Sequence, residues 1–254
     1  MVVQEQPALG APEVNLKRIG VLLEAAARLD VAIALFPEMF LTGYNVGARI
    51  RDLAEPEAGA VETRLSAMAR ETGVALVAGL PQRRGEQVYN VALAIDRDGS
   101  VRARYAKMHL FGEIERSLFT AGREPVTASL AGHLLGLAIC YDIEFPETGR
   151  MLAERNVVAI VVPTANMTPY WEVPTTLARA RALENGVAVA YANLAGIEDD
   201  LTYTGLSAIV GPDGRDLARA GTEPAVLVAD LGASLERARR HPPSTQREDL
   251  KAVV

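Results

Sequence analysis

Four reactive side chains each stand at or just after the end of an apolar run of the sequence. They are Glu38, Lys107, Cys140 and Asn166. Runs of this length and composition are typical of β-strands, and ligands of α/β proteins collect at the carboxyl ends of strands. A carboxylate, an ammonium group, a thiol and an amide are therefore expected at one edge of a sheet, a set that could carry out nucleophilic catalysis.

Cys140 is the only cysteine of the chain and lies in the stretch LAICYDIEFPE. A buried cysteine is commonly just a small apolar residue, and three neighbouring acids, Asp142, Glu144 and Glu147, would oppose thiolate formation. The position favours a nucleophile, because a tight turn after a strand surrounds a thiol with backbone N–H groups that lower its pKa and bind an oxyanion. The compensating positive charge must then come from another part of the chain.

Lys107 and Glu38 are the candidates for that charge and for a general base. Lys107 precedes the apolar residues MHLF, so its ammonium is expected to point inward, where it needs carboxylates such as Glu38 and Glu115. An inward ammonium could hold an oxyanion and favour the thiolate of Cys140. Desolvation would raise the pKa of Glu38, which suits a general base. A solvated surface position is the commoner alternative for both residues. His109 could pair with Cys140, although a hydrogen bond within the scaffold is the simpler role.

Composition argues against several classes of function. The 254-residue chain has a net charge of −6 and a pI of about 5.3, which disfavours nucleic acid or an anionic membrane as the main partner. One cysteine and three scattered histidines do not make a zinc site. No stretch approaches about 20 apolar residues, so no membrane span is expected. With no visible signal peptide and no possible internal disulfide, a cytoplasmic location is expected.

The apolar runs and the segments between them predict a single α/β domain over residues 1–254. Asp98-Gly99 and Asp213-Gly214 each join two strand-like runs, so hairpins and a mixed sheet are expected. Asn15 is a plausible N-cap for the first helix. Periodicity and capping residues predict helices over 15–30, 58–72, 146–156 and 174–186.

Five stretches together resemble the nitrilase superfamily of carbon–nitrogen hydrolases over almost the whole chain. They are 37-PEMFLTGY, 105-YAKMHLFGEIERSLFTAG, 139-ICYDIEFPE, 163-PTANMTPY and 179-RARALENGVAVAYAN. The resemblance implies an α-β-β-α sandwich of mixed sheets in which two copies pair through helices, so a homodimer or higher homo-oligomer is expected. It implies neither a metal nor an organic cofactor.

The resemblance also implies a role for each reactive residue. Glu38 would be the general base, and Cys140 would be the nucleophile that forms a thioester. Lys107 would hold the oxyanion together with the backbone N–H of Tyr141. These three side chains form the Glu–Lys–Cys triad of the superfamily.

A second glutamate of the superfamily lies in the pattern E-x-x-x-F-x-x-G. Glu115 matches it here, and nearby Glu113 is the alternative. In this position the second glutamate would orient the ammonium of Lys107 and the amide of the substrate.

Within the superfamily, the motifs are most similar to bacterial 5-aminopentanamidase and related short aliphatic amidases. This implies a small amide substrate, with or without a terminal amine, that is hydrolysed to a carboxylate and ammonia. If the substrate carries an ammonium group, Glu144 or Glu172 would receive it. The expected substrate-binding residues are Tyr44, Tyr141, Glu144, Asn166, Met167, Tyr170 and Trp171.

Two alternatives stay open at this point. One is a nitrile or N-carbamoyl substrate in place of an amide. The other is a catalytically silent member that acts as a scaffold, against which the intact Glu38, Lys107 and Cys140 speak. A thiol oxidoreductase is disfavoured because the chain has no second cysteine to resolve a disulfide.

Overall fold

Two β-sheets lie face to face, and their strands position the candidate residues. The computed structural model describes residues 1–251, so the last three positions of the predicted 1–254 domain lie outside the described residues. The strands are β1 Val2–Gln4, β2 Ile33–Leu35, β3 Glu55–Pro56, β4 Ala75–Arg84, β5 Gln87–Ile95, β6 Val101–Ala106, β7 Val126–Leu130, β8 His133–Leu137, β9 Ala159–Thr164, β10 Ala188–Asn193, β11 Ile197–Glu198, β12 Leu201–Thr202, β13 Ala208–Val210, β14 Asp216–Arg219 and β15 Ala225–Leu227.

Both sheets are mixed, as the sequence predicts. The first has the order β15-β1-β2-β4-β5-β6, with β3 paired to β4, and the second has the order β14-β13-β10-β9-β8-β7. The strands β1, β2 and β4 are mutually parallel, as are β8, β9 and β10. The predicted hairpins are confirmed, because β5 pairs antiparallel with β6 across Asp98-Gly99 and β13 pairs antiparallel with β14 across Asp213-Gly214.

Helices connect many of the strands. They are α1 Pro12–Arg28, α2 Ile50–Leu53, α3 Ala60–Thr72, α4 Gly112–Leu118, α5 Pro146–Ala153, α6 Ala178–Asn185, α7 Gly232–Arg240 and α8 Gln246–Lys251. A 3₁₀ turn spans Cys140–Glu144, and a π-helical turn, Val173–Leu177, precedes α6. No helix within residues 1–251 has both the length and the apolar composition needed to cross a bilayer.

Three apolar clusters hold the layers together. One lies between the sheets, where side chains such as Val77 and Tyr105 meet Leu137 and Val161. A second packs α1 and α3 on the first sheet, and a third packs α5 and α6 on the second. The order of layers is therefore helix, sheet, sheet, helix, which confirms the predicted α-β-β-α sandwich.

The predicted N-cap of the first helix is wrong. The helix begins at Pro12, which suits a first helical position because it has no N–H to leave unpaired. Asn15 lies inside the helix and is fully buried. Its side chain exchanges two hydrogen bonds with the backbone of Ala8 (2.7 and 2.8 Å) and donates a third to Leu41 O (2.9 Å). An asparagine near the start of a helix predicts an N-cap, and the sequence does not distinguish it from a buried asparagine that ties two loops to the helix.

Strand direction explains why Glu38 and Lys107 meet. From β4, two antiparallel pairings lead to β6, so β6 runs in the same direction as β2. Both residues therefore leave the first sheet at the same edge. The N–H of Glu38 also donates to Thr164 O at the end of β9 (3.3 Å), which joins this edge to that of the second sheet.

Candidate functional site

The ammonium of Lys107 lies between two carboxylates in the protein interior. Its Nζ donates to Glu38 Oε1 and to Glu115 Oε1, each at 2.8 Å. The side chains of Lys107 and Glu38 are 0% exposed and that of Glu115 is 3% exposed. Burial by itself lowers the pKa of Lys107, but the two carboxylates raise it well above its usual range. This lysine therefore stays charged over the whole range in which the protein is expected to work.

Glu38 is held in a tight turn after β2. Its neighbour Met39 adopts a positive φ of 52°, and the turn presses against Gly79 of β4. A Cβ atom at Gly79 would lie 2.5 Å from Pro37 O and 2.6 Å from the Cα of Glu38, so only glycine fits there. The backbone of β4 thus carries the turn that points Glu38 into the interior.

The two oxygens of Glu38 have different surroundings. Oε1 accepts from Lys107 and from Asn90 Nδ2 (2.6 Å), whereas Oε2 is buried without a partner among the described residues. Burial raises the pKa of Glu38, Lys107 lowers it and Glu115 raises it again, with a net increase. A carboxylate with one free, desolvated oxygen is a competent proton acceptor.

Glu115, and not Glu113, contacts Lys107. The short helix α4 buries Glu115, whose Oε2 accepts from Phe111 N (2.7 Å) and whose Oε1 accepts from Tyr44 Oη (2.7 Å) as well as from the lysine. Glu113 is 92% exposed and pairs with Arg116 on the surface. The structure therefore places the residue that matches E-x-x-x-F-x-x-G in the site and its alternative in solvent.

Cys140 begins the 3₁₀ turn with a strained backbone. Its φ is +46°, which is unusual for any residue with a side chain. Asp142 holds this turn in place, because its carboxylate accepts from Ile139 N (3.0 Å), His109 N (2.9 Å) and Tyr105 Oη (2.7 Å). Asp142 looked unfavourable for a thiol when only the sequence was considered. Its carboxylate instead holds the backbone turn that presents the thiol.

Burial has the largest effect on the pKa of the Cys140 thiol. Desolvation raises its pKa well above the usual range, and the carboxylate of Glu38 raises it further. Lys107 and the backbone N–H of Ala165 act in the opposite direction on this pKa. The expectation that Lys107 favours the thiolate therefore has the right sign, but the environment as a whole favours the thiol.

His109 contacts Asp142. Its Nδ1 lies 2.8 Å from Asp142 Oδ1 and its ring stacks on Phe145 with centroids 4.0 Å apart. Within residues 1–251 no hydrogen bond joins His109 to Cys140. The scaffold role considered for this histidine agrees with the geometry, whereas a Cys–His pair does not.

The expected substrate-binding residues fall into two groups. Tyr44 contacts Glu115, Tyr141 and Tyr170 each pack edge-on against Phe111 (centroids 5.3 and 5.6 Å), and Glu144 is half-buried next to the charged set. The remaining residues face other partners or solvent. Asn166 donates to Tyr170 O and Thr204 Oγ1, Met167 is buried beside Tyr203, and Trp171 and Glu172 are exposed.

The sequence did not predict the contribution of Asn90 to the site. Asn90 lies on β5 and donates to Glu38 Oε1. An asparagine inside an apolar strand is a weak signal that a buried partner exists.

The described residues contain no group of three or more His, Cys, Asp or Glu side chains placed to bind a metal ion. The site presents a thiol, a carboxylate with one free oxygen and a fixed cation. These three groups can perform acyl transfer from a carbonyl carbon through a covalent intermediate.

Comparison with known proteins gives the same class. The profile of the Carbon-nitrogen hydrolase family matches residues 2–240. A protein of Pseudomonas protegens described as "Hydrolase in pqqF 5'region" is 43% identical over 225 residues, which are 87% of this chain and 78% of that one. An (R)-stereoselective amidase of a Pseudomonas species is 37% identical over 213 residues, covering 83% and 77%.

A solved amidase has the same fold. The crystal structure of an amidase from Nesterenkonia sp. superposes with a TM-score of 0.85 at 38% identity, over 94% of this chain and 93% of that one. A mutant of the Nesterenkonia sp. AN1 amidase has acrylamide added at its active-site cysteine, and another is in complex with butyramide. In that protein the cysteine is therefore a reactive nucleophile.

Fold, site and comparisons define a hydrolase of carbon–nitrogen bonds other than peptide bonds. The chain belongs to the carbon–nitrogen hydrolase family, the nitrilase superfamily, which confirms the family predicted from the motifs.

Removing the buried ammonium tests the electrostatics of the site. We expect Lys107→Met to cost about 3–5 kcal/mol of unfolding free energy at about pH 8, because two carboxylates then lie buried without a cation. At about pH 5.5 the loss should shrink, because a carboxyl with a raised pKa binds a proton more readily folded than unfolded. Urea unfolding at both pH values measures this.

Arg116→Met is the matched control, because it removes an exposed cation one residue from Glu115. Its effect should be small and nearly independent of pH. If Lys107→Met cost no more than Arg116→Met, the ammonium would not stabilise the buried carboxylates as described.

Proposed function

We propose that the protein is an amidase that hydrolyses a small aliphatic amide, with or without a terminal amine, to a carboxylate and ammonia. Support comes from the free carboxylate oxygen and the charged lysine at the edge of the first sheet, from the thiol that follows β8 at the adjoining edge of the second sheet, and from the amidases among its relatives. Residues 1–254 would form one catalytic domain, with Glu38, Lys107, Cys140 and Glu115 as the catalytic set.

The first half of the reaction forms a thioester. Glu38 accepts the proton of the Cys140 thiol while the sulfur attacks the amide carbon. The oxyanion that develops is held by the ammonium of Lys107 and the backbone N–H of Tyr141, and one such donor contributes about 10²–10³-fold in rate. The carbon–nitrogen bond then breaks, and Glu38 returns its proton to the leaving ammonia.

The second half releases the acid. A water molecule gives a proton to Glu38 and attacks the thioester carbon, again with Lys107 on the oxyanion. The carbon–sulfur bond breaks, Cys140 recovers a proton from Glu38, and the carboxylic acid leaves and gives its remaining proton to solvent or to the released ammonia. Each half therefore needs Glu38 once as base and once as acid, which suits a carboxyl whose pKa is raised towards neutrality.

A single observation carries the proposal. The ammonium of Lys107 holds only one oxygen of Glu38 and leaves Oε2 buried and free to exchange a proton. A buried carboxylate oxygen without a partner costs stability, and such a cost is expected where the oxygen exchanges a proton in the reaction.

Ammonia release tests the activity directly. We expect turnover of butyramide and valeramide, and much slower or no turnover of butyronitrile and N-carbamoyl-β-alanine. Cys140→Ala should abolish release, and Glu38→Gln should lower kcat by about 10²–10⁴-fold. Turnover that persists in Cys140→Ala overturns the mechanism, and preference for the nitrile or the carbamoyl compound overturns the substrate class.

Glu144 is the candidate for recognition of a substrate ammonium group. Arg181 fixes the backbone here by donating to Ile143 O (3.0 Å) and Glu144 O (2.8 Å). Within residues 1–251 nothing hydrogen-bonds the carboxylate of Glu144, and burial raises its pKa while Lys107 and Arg181 lower it. A half-buried carboxylate without a partner is suited to receive a cation.

A matched pair of substrates isolates this contact. Glu144→Gln should raise KM for 5-aminopentanamide at least about tenfold and change KM for valeramide little, because a charged hydrogen bond contributes about 1.5–3 kcal/mol. Glu172→Gln, at an exposed position, should change neither. Equal effects of Glu144→Gln on both substrates, or a selective effect of Glu172→Gln, would reject Glu144 as the ammonium site.

The homodimer and the cytoplasmic location stay predictions. Met151 on α5, Leu183 on α6 and Leu217 on β14 are exposed apolar side chains, which is compatible with pairing through helices.

A further inference from the structure

Glu198 is a buried carboxylate that the mechanism above does not use. It ends β11 in the short β11–β12 hairpin and is 2% exposed. Its Oε2 accepts three hydrogen bonds, from Tyr44 N (3.0 Å), Asn45 N (2.8 Å) and Tyr203 Oη (2.7 Å). The hairpin thus holds the loop that contains Tyr44 and Asn45, which lies more than 150 residues away in the sequence.

Burying the carboxylate of Glu198 costs more free energy than is expected for a residue with only a scaffold role. Within residues 1–251 no Lys, Arg or His forms an ion pair with it, and its Oε1 is buried without a hydrogen-bond partner. Burying a carboxylate against neutral donors alone is unfavourable compared with an amide or an apolar side chain. Such a cost is expected where the geometry of the neighbours matters more than stability.

The backbone of the loop that contains Tyr44 and Asn45 approaches the Glu198 carboxylate closely. Gly43 has a φ of +80°, and a Cβ atom there would lie 3.1 Å from Glu198 Oε1 and 2.6 Å from Leu9 Cδ1. The following residue, Tyr44, is fixed by its N–H on Glu198. Asn45 adds a second tie by donating from its side chain to Glu198 O (3.1 Å).

The side chain of Tyr44 leads from this loop into the charged set. Its hydroxyl donates to Glu115 Oε1 at 2.7 Å, the same oxygen that accepts from Lys107 Nζ at 2.8 Å. The position of Tyr44 therefore controls how the lone pairs of Glu115 Oε1 are shared between a hydroxyl and the ammonium. The direction of the ammonium, in turn, decides how well it meets an oxyanion.

We propose that Glu198 is a positioning residue for catalysis, which acts by fixing the backbone of Tyr44 and Asn45 so that the Tyr44 hydroxyl orients Glu115 and Lys107. The inference rests on the proposed function, since it assigns a role in the same acyl-transfer site. It adds to the set a residue that lies 58 positions beyond Cys140 in the chain.

Two substitutions of similar size separate the acceptor from the space it fills. Glu198→Met accepts no hydrogen bond, and we expect it to lower kcat for butyramide by about 10–100-fold with little change in KM, the order expected from a small misplacement of a catalytic group. Glu198→Gln keeps an acceptor oxygen and should retain activity within about threefold of wild type. Asp199→Asn, which removes a charge from the same hairpin, serves as control and should behave as wild type.

A double-mutant cycle with Tyr44→Phe tests the route of the effect. If Glu198 acts through the Tyr44 hydroxyl, Glu198→Met should add little to the loss caused by Tyr44→Phe. Losses that multiply, or equal activity of the Met and Gln variants, would overturn the proposal. If Glu198→Met does not fold, the cycle is run with Glu198→Gln, whose small loss should disappear in the Tyr44→Phe background, and a loss that persists there overturns the proposal.

Alkylation of Cys140 by iodoacetamide gives a second readout that needs no amide hydrolysis. The rate should change in the same direction in Glu198→Met and in Tyr44→Phe, and no further in the double variant. If the wild-type protein released no ammonia but showed this coupling, the proposed function would fail and the positioning role would stand. Independent effects on alkylation would remove the positioning role even in an active amidase.

Discussion

The buried ammonium of Lys107 is the interaction on which the site depends. Two glutamates approach it from different elements, the turn after β2 and the helix α4, and burying both without the charge of the lysine would be strongly destabilising. Since the lysine and both glutamates are nearly or fully excluded from water, small displacements change their energies strongly. The fold therefore fixes each of the three from several directions, through Gly79 behind Glu38 and through Tyr44 in front of Glu115.

The same buried environment determines how readily the Cys140 thiol ionises. Cys140 sits on a strained turn held by Asp142, in an environment where burial opposes a thiolate more than the lysine favours it. In the proposed mechanism, Cys140 loses its proton at the moment of attack, with the free oxygen of Glu38 as the acceptor. Lys107 would stay charged throughout and hold the oxyanion, so that one cation would serve both the resting protein and the transition state.

Much of this arrangement could be predicted from the sequence, because strand ends carry strong local signals. Apolar runs followed by Glu38, Lys107 and Cys140, together with two Asp-Gly hairpins, predicted a mixed sheet and three converging groups, and the resemblance of the motifs to a family implied the sandwich. Contacts between distant segments could not be predicted in this way. Glu198 meets Tyr44 across 154 positions, and nothing near either residue in the sequence indicates the other. The prediction that Asn15 is an N-cap was wrong for a related reason, because the sequence does not show that its side chain bonds to distant loops.

The most direct test of the account is the ionisation of Cys140, followed by the ultraviolet absorbance of the thiolate as pH rises, with Cys140→Ala as the blank. The account predicts that the thiolate of the resting protein forms only above the ordinary thiol pKa of 9.0, and that the midpoint rises further in Lys107→Met. A midpoint below about 7, as found for thiolates preformed beside a cation, would contradict it, because Glu38 would then have no proton to accept from the nucleophile.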